Sequence, residues 1–164
     1  FTARILEERE GVAKYLNSPE TLIYSKSHLI YGLNFAKTDI RKQDQVVVVE
    51  GNVDVITCHE AGYKIVVGSS GTALTEAQLA RLKRFTHNIS FAFDVDEAGL
   101  QATRRAVEVA LTIGFNVRIV SIPNNAAKDP DELVRKNPGL WEELVGGARP
   151  FLDFYFEQIF ANWI

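Results

Sequence analysis

Methionine is absent from the chain, and cysteine occurs once, as Cys58. A lone cysteine forms no internal disulfide and cannot build a cysteine-based zinc site within the chain. A reducing cytoplasm is the simplest setting for such a sequence. No apolar run approaches the roughly 20 residues of a membrane-spanning helix. No signal peptide opens the sequence, and no membrane association is expected. The three histidines, His28, His59 and His87, are scattered without metal-ligand spacing. Gly-Lys-Ser/Thr, G-x-G-x-x-G and a Ser-His-Asp arrangement are also missing, so P-loop, dinucleotide and hydrolase-triad chemistry find no support. Because the sequence starts at Phe1 without any methionine, it is expected to be a piece of a longer protein.

What is present is enough for one packed domain with a small appendage: 164 residues, 46% of them hydrophobic. The net charge of −3 by itself argues weakly against nucleic-acid binding. Its distribution matters more. Residues 1–45 carry seven Lys/Arg against six Asp/Glu, and residues 46–164 carry eleven against fifteen. Six of those fifteen acids (Glu50, Asp54, Asp94, Asp96, Asp129 and Asp131) fall in or beside predicted strand-end loops. The acidity is thus local, and bound divalent ions would offset it.

From residue 46 the pattern is β-α-β-α-β-α-β. Strands are predicted at 46–49, 64–68, 89–93 and 115–122. Helices are predicted at 53–61, from 75 to about 85, and at 97–113. Thr75-Glu76-Ala77-Gln78 is a capping box, and Gly62 and Gly114 are placed to end helices. Strands alternating with helices of this length predict a parallel sheet with right-handed crossovers and helices on both faces. Residues 1–45 read as mixed, with a turn at Asn17-Ser18-Pro19 and a short helix near 34–42. Residues 130–164 read as helical, the last helix starting near Pro150 and too apolar to be left in water.

In an open α/β sheet the chemistry collects at the carboxyl ends of the strands. Glu50 ends the first apolar run and Asp94-x-Asp96 ends the third. If both serve one site, those two strands are neighbours and the second strand lies outside them. Two like charges about 4 Å apart repel by roughly 4 kcal/mol at an effective dielectric near 20. A cation is the usual reason to tolerate that, and all-oxygen ligands favour magnesium or manganese. Each motif also has a plainer reading. Glu50-Gly51 fits an ordinary strand end with a turn glycine. Asp96 fits an N-cap for the next helix. In Lys128-Asp129-Pro130-Asp131-Glu132, Asp129 fits an N-cap with Pro130 at the first helical position. The Gly68–Thr75 loop fits either a phosphate-binding turn or a tight strand-to-helix connection. Cys58 falls on the buried side of a helix.

Together these stretches resemble the Toprim domain of bacterial DnaG-type primases. The resemblance rests on Glu50-Gly51-Asn52-Val53-Asp54-Val55-Ile56, Gly71-Thr72-Ala73-Leu74-Thr75 and Phe93-Asp94-x-Asp96-x-Ala98-Gly99. It extends to Lys14-Tyr15-Leu16-Asn17-Ser18-Pro19-Glu20-Thr21, Tyr31-Gly32-Leu33 and Lys128-Asp129-Pro130-Asp131-Glu132. Asn52, Val53 and Val95 depart from commoner family residues without touching a carboxylate. The resemblance implies a Toprim fold of about four parallel strands over 46–129. Residues 1–45 would be the end of the preceding subdomain of the polymerase core, and 130–164 the start of a helical subdomain.

The resemblance also implies an activity: metal-dependent synthesis of short RNA primers from ribonucleoside triphosphates on a single-stranded DNA template. Asp94, Asp96, Asp129 and Asp131 would hold Mg2+ or Mn2+, with Glu50 central and Asp54 secondary. Lys14, Tyr15, Asn17 and Lys26 match positions linked to nucleotide or template binding. Zinc belongs to an N-terminal module of the family that these residues lack. The replicative helicase would be met through a C-terminal module, also absent, at a bacterial replication fork. Residues 1–164 alone are expected to be monomeric and weakly active or inactive. A phage-type or organellar primase–helicase, a topoisomerase and a Toprim nuclease are the competing enzymes. The non-enzymatic alternative is a metal-stabilised fragment that binds nucleotides or single strands.

Overall fold

The computed structural model describes the chain except for residues 1, 6, 8–10, 13, 14, 71–73, 94–96 and 162–164. At 2, 4, 15, 17, 97–102 and 157–161 it describes the backbone alone. The candidates Lys14, Asp94 and Asp96, and the Gly71-Thr72-Ala73 part of the Gly/Ser loop, lie outside the described residues.

A hairpin of β1 (Thr2–Arg4) and β2 (Tyr15–Asn17) comes first, followed by α1 (Leu33–Gln43). The alternating core is β3 (Val46–Val49), α2 (Asn52–Glu60), β4 (Val66–Gly68), α3 (Glu76–Lys83), β5 (Asn88–Phe91), α4 (Glu97–Ile113) and β6 (Asn116–Ile119). The last elements are α5 (Pro130–Lys136), α6 (Pro138–Gly146), the short strand β7 (Arg149–Pro150) and α7 (Phe151–Ala161).

The core sheet runs β4-β3-β5-β6-β7. Its first four strands are parallel. The four valines of β3 are buried on both faces, as a central strand covered by helices requires. Removing each such side chain from water contributes about 1.5–3 kcal/mol. Right-handed crossovers decide where the helices go. The step from β3 out to β4 carries α2 over one face. The steps from β4 back to β5 and on to β6 run the opposite way and carry α3 and α4 over the other. α5 then returns to pack against α2, and α3 packs against α4. The predicted order, with the second strand outside the first and third, is the observed one.

The C-terminal part departs from an all-helical reading. Arg149 and Pro150 pair antiparallel with Ile119 and Arg118, adding a fifth strand before α7 begins at Phe151. Pro150 has no N–H to donate, and an edge strand is where a sheet tolerates that.

The segment before the core is fastened to the sheet at two places. Tyr31 and Gly68 exchange two backbone hydrogen bonds of 3.0 Å, so the chain entering α1 runs along the outer edge of β4. Gly32 then starts α1 at φ 80°, and a Cβ there would stand 2.7 Å from Val55 Cγ1, so only glycine fits. The second fastening is Gln78. It completes the capping box with Thr75, accepting from the Thr75 N–H at 2.9 Å. Its Nε2 donates to the carbonyls of Lys26 at 3.3 Å and Leu29 at 2.6 Å. Thr75 Oγ1 donates to Ser27 O at 2.6 Å. Gln78 is fully buried, so losing its amide strands several backbone groups away from water. Gln78→Leu should cost about 2–4 kcal/mol in urea unfolding. It should also loosen residues 26–29 first, read as faster amide exchange there.

Candidate functional site

β3 and β5 lie side by side with Val48 opposite Phe91, and the Ala92 N–H continues the ladder to Val48 O at 2.9 Å. Extending that register sets Glu50 level with Phe93, the last described residue before Asp94. Glu50 is half-buried where β3 passes into α2. On the other side of β3, the Ser69 N–H donates to Val49 O at 3.1 Å, which starts the Gly/Ser loop at the same edge. Ser70 takes a left-handed conformation, φ 61°, and its hydroxyl donates to Asn52 Oδ1 at 2.9 Å.

Asp54 sits in the first turn of α2 and is 7% exposed. Its Oδ2 accepts from the Gly51 N–H at 3.0 Å, half of a capping box, and its Oδ1 accepts from the Asp131 N–H at 3.1 Å. Carboxylate acceptance from N–H groups at a helix start is favoured by charge and dipole together. Through this one side chain, the turn bearing Glu50 is joined to the loop bearing Asp129 and Asp131. Asp129 is the N-cap of α5, accepting from the Glu132 N–H at 2.8 Å, with Pro130 at the first helical position. Its other oxygen faces Lys128 Nζ at 3.8 Å. Asp131 Oδ1 accepts from Thr57 Oγ1 on α2 and from Arg135 Nε at 2.7 Å, and Arg135 Nη2 donates to Thr57 Oγ1 at 3.0 Å.

Burial pushes the Asp131 carboxyl up, but the Thr57 and Arg135 hydrogen bonds and the Arg135 and Lys128 charges outweigh it and hold the group below its ordinary 3.8. Burial pushes the Cys58 thiol up to about 12, helped by the charges of Asp54 and Asp131. A buried thiol so protonated is a poor nucleophile at neutral pH.

The acids at this edge are all carboxylates, a hard oxygen set suited to Mg2+ or Mn2+ rather than to a soft ion. Among the described residues, no three His, Cys, Asp or Glu side chains group closely enough to hold a metal. No helix among them is long and apolar enough to cross a membrane.

Of the residues expected to meet nucleotide or template, Tyr15 and Asn17 pair through their backbones with Arg4 and Thr2 in the hairpin. Lys26 is half-buried, its N–H donating to Glu20 Oε1 at 2.7 Å. Sequence reading passed over Thr57 and Arg135. The Asp131–Arg135 i,i+4 pair was visible as a pattern, but the partner helix that gives it meaning was not.

Two outcomes follow. A carboxyl held below its ordinary pKa stabilises the fold above that pKa and loses its contribution as pH falls through the folded value. The melting temperature of the parent should therefore fall more steeply than that of Arg135→Gln between about pH 5 and pH 2. Cys58 should resist a thiol reagent in the native state at pH 8 and react fully in denaturant. Rapid native labelling would contradict its burial.

The Toprim-like family matches residues 47–134, and the DNA primase catalytic core N-terminal domain matches residues 1–37. A DNA primase of Clostridium acetobutylicum is 42% identical over 99% of the chain, which spans 26% of that relative's length. The zinc-binding and RNA polymerase domains of the Aquifex aeolicus primase superpose with a TM-score of 0.86 at 28% identity, covering 99% of this chain and 40% of that one. A DnaG primase catalytic domain bound to single-stranded DNA superposes at 0.81 with 34% identity, covering 98% of this chain and 51% of that one. With these matches running almost end to end, the chain belongs to the bacterial DnaG-type DNA primases and carries their Toprim-like domain with its flanking parts.

Proposed function

We propose that the protein to which these residues belong makes short RNA primers on single-stranded DNA from ribonucleoside triphosphates, using Mg2+ or Mn2+ bound at the carboxyl edge of the sheet. The observation that carries the reading is the parallel pairing of β3 with β5, which sets Glu50 level with the residue before Asp94-Val95-Asp96. Asp94, Asp96, Asp129 and Asp131 are the proposed ligands together with Glu50, which acts as ligand or as general acid or base. Asp54 is assigned a lesser part, because its carboxylate already holds two backbone N–H groups. In the division proposed here, residues 1–45 end one subdomain, 46–129 form the Toprim domain, and 130–164 begin a helical subdomain.

The reaction is nucleotidyl transfer. A primer 3′-hydroxyl oxygen attacks the α-phosphorus and gives up its proton to a base (Glu50 in that role, or water), the bond to the bridging oxygen breaks, and pyrophosphate leaves. When bound, the divalent ion lowers the pKa of the attacking hydroxyl and neutralises charge on the in-line transition state. The chain's own residues position and shield. Lys14, Tyr15, Asn17 and Lys26 are proposed to meet nucleotide and template phosphates, Lys26 from a loop that Gln78 ties to α3. The single-stranded DNA held by the related DnaG domain supports a DNA template here. The replicative helicase and the bacterial cytoplasm complete the proposed setting.

The test is primer synthesis by the full-length protein. Glu50→Gln should lower the rate by about 100-fold or more, the scale of losing one charge-stabilising group; an unchanged rate overturns the assignment. In residues 1–164, Mn2+ or Mg2+ at about 100 times its Kd should add ~2.7 kcal/mol of stability, read as a higher melting temperature. No shift with either ion would count against a metal centre.

A further inference from the structure

Thr57 and Arg135 belong to no motif and have no assigned role, yet they join two helices far apart in sequence. Asp54 and Thr57 are one turn apart on α2, both buried. Asp131 and Arg135 are one turn apart on α5. The four side chains form a closed set. Asp54 holds the Asp131 backbone at 3.1 Å, and Thr57 and Arg135 both hold the same oxygen, Oδ1, of its carboxylate. Arg135 closes the ring by donating to the Thr57 oxygen at 3.0 Å. A carboxylate held at one oxygen by two donors, on a backbone whose N–H is also bound, has less rotamer freedom than a free one.

We propose that Thr57 and Arg135 are positioning residues that aim Asp131 at the ion held by the carboxyl edge. The proposal rests on the metal-centre reading above. Toward the ion Arg135 acts by geometry, although its charge also lowers the Asp131 pKa. As a bystander cation it would oppose a divalent ion, and its removal would tighten binding. As a positioning group its removal frees the Asp131 rotamer and weakens binding.

The opposite signs make the test. Free Mn2+ is titrated against residues 1–164 and followed by its electron paramagnetic resonance signal, with the metal-free melting temperature of each variant measured alongside. Thr57→Val keeps the shape and removes the hydroxyl. It should raise half-saturating Mn2+ by about 10-fold or more, as for other groups that orient a ligand. Thr57→Ser should restore parental binding. Arg135→Met should also raise half-saturation, and because the Arg135 side chain is 59% exposed its fold should survive if Thr57→Val unfolds. Parental or tighter Mn2+ binding by folded Thr57→Val or Arg135→Met overturns the proposal. If the parent itself takes up no Mn2+ at millimolar concentration, the metal-centre reading has failed, and the proposal falls with it.

Discussion

The Asp54 carboxylate is the constraint on which the carboxyl edge of the sheet depends. It is buried, and a buried carboxylate without partners is costly. Here it accepts the Gly51 N–H from the turn after β3 and the Asp131 N–H from the first turn of α5. Two segments separated by most of the domain are thereby held to one side chain. The same contact explains Gly51: a Cβ there would stand 2.7 Å from Asp54 Oδ2. Glu50 is the residue before that glycine, so its position is inherited from the Asp54 contact and from β3.

A second coupling reaches in the other direction. Gln78 caps α3 and at the same time grips the carbonyls of Lys26 and Leu29, and Tyr31 pairs with the edge of β4. The loop bearing Lys26 is therefore held by the domain that carries the acidic edge. The site proposed for metal ions and phosphates would need its acids and Lys26 in fixed relation. The buried Gln78 amide provides part of that rigidity, because its alternative partners in water are out of reach.

Much of the fold was legible because its signals are local. The valine run of β3, the Thr75–Gln78 capping box, Gly62 and Gly114 at helix ends, and the Asp129-Pro130 helix start are all set by backbone chemistry within a few residues. The strand order followed from asking Glu50 and the Asp94 turn to share an edge. β7 was not legible, because a two-residue strand containing proline has no periodicity to read. Nor was the partner of Asp131 on α2. The Thr57 hydroxyl reaches it across 74 residues of sequence, and no spacing rule connects them.

What the sequence by itself determined is which segments are strands and helices, which acids fall at strand ends, and which family those motifs belong to. These follow from periodicity, capping chemistry and residue type. What only the tertiary structure decided is which distant groups Asp54 and Asp131 meet. It joined Asp54 to the Asp131 N–H and the Asp131 carboxylate to the Thr57 hydroxyl. The reason is that a carboxylate's distant partners are whichever donors the packing of α2 on α5 brings within about 3 Å of it, and that packing is a property of the whole fold.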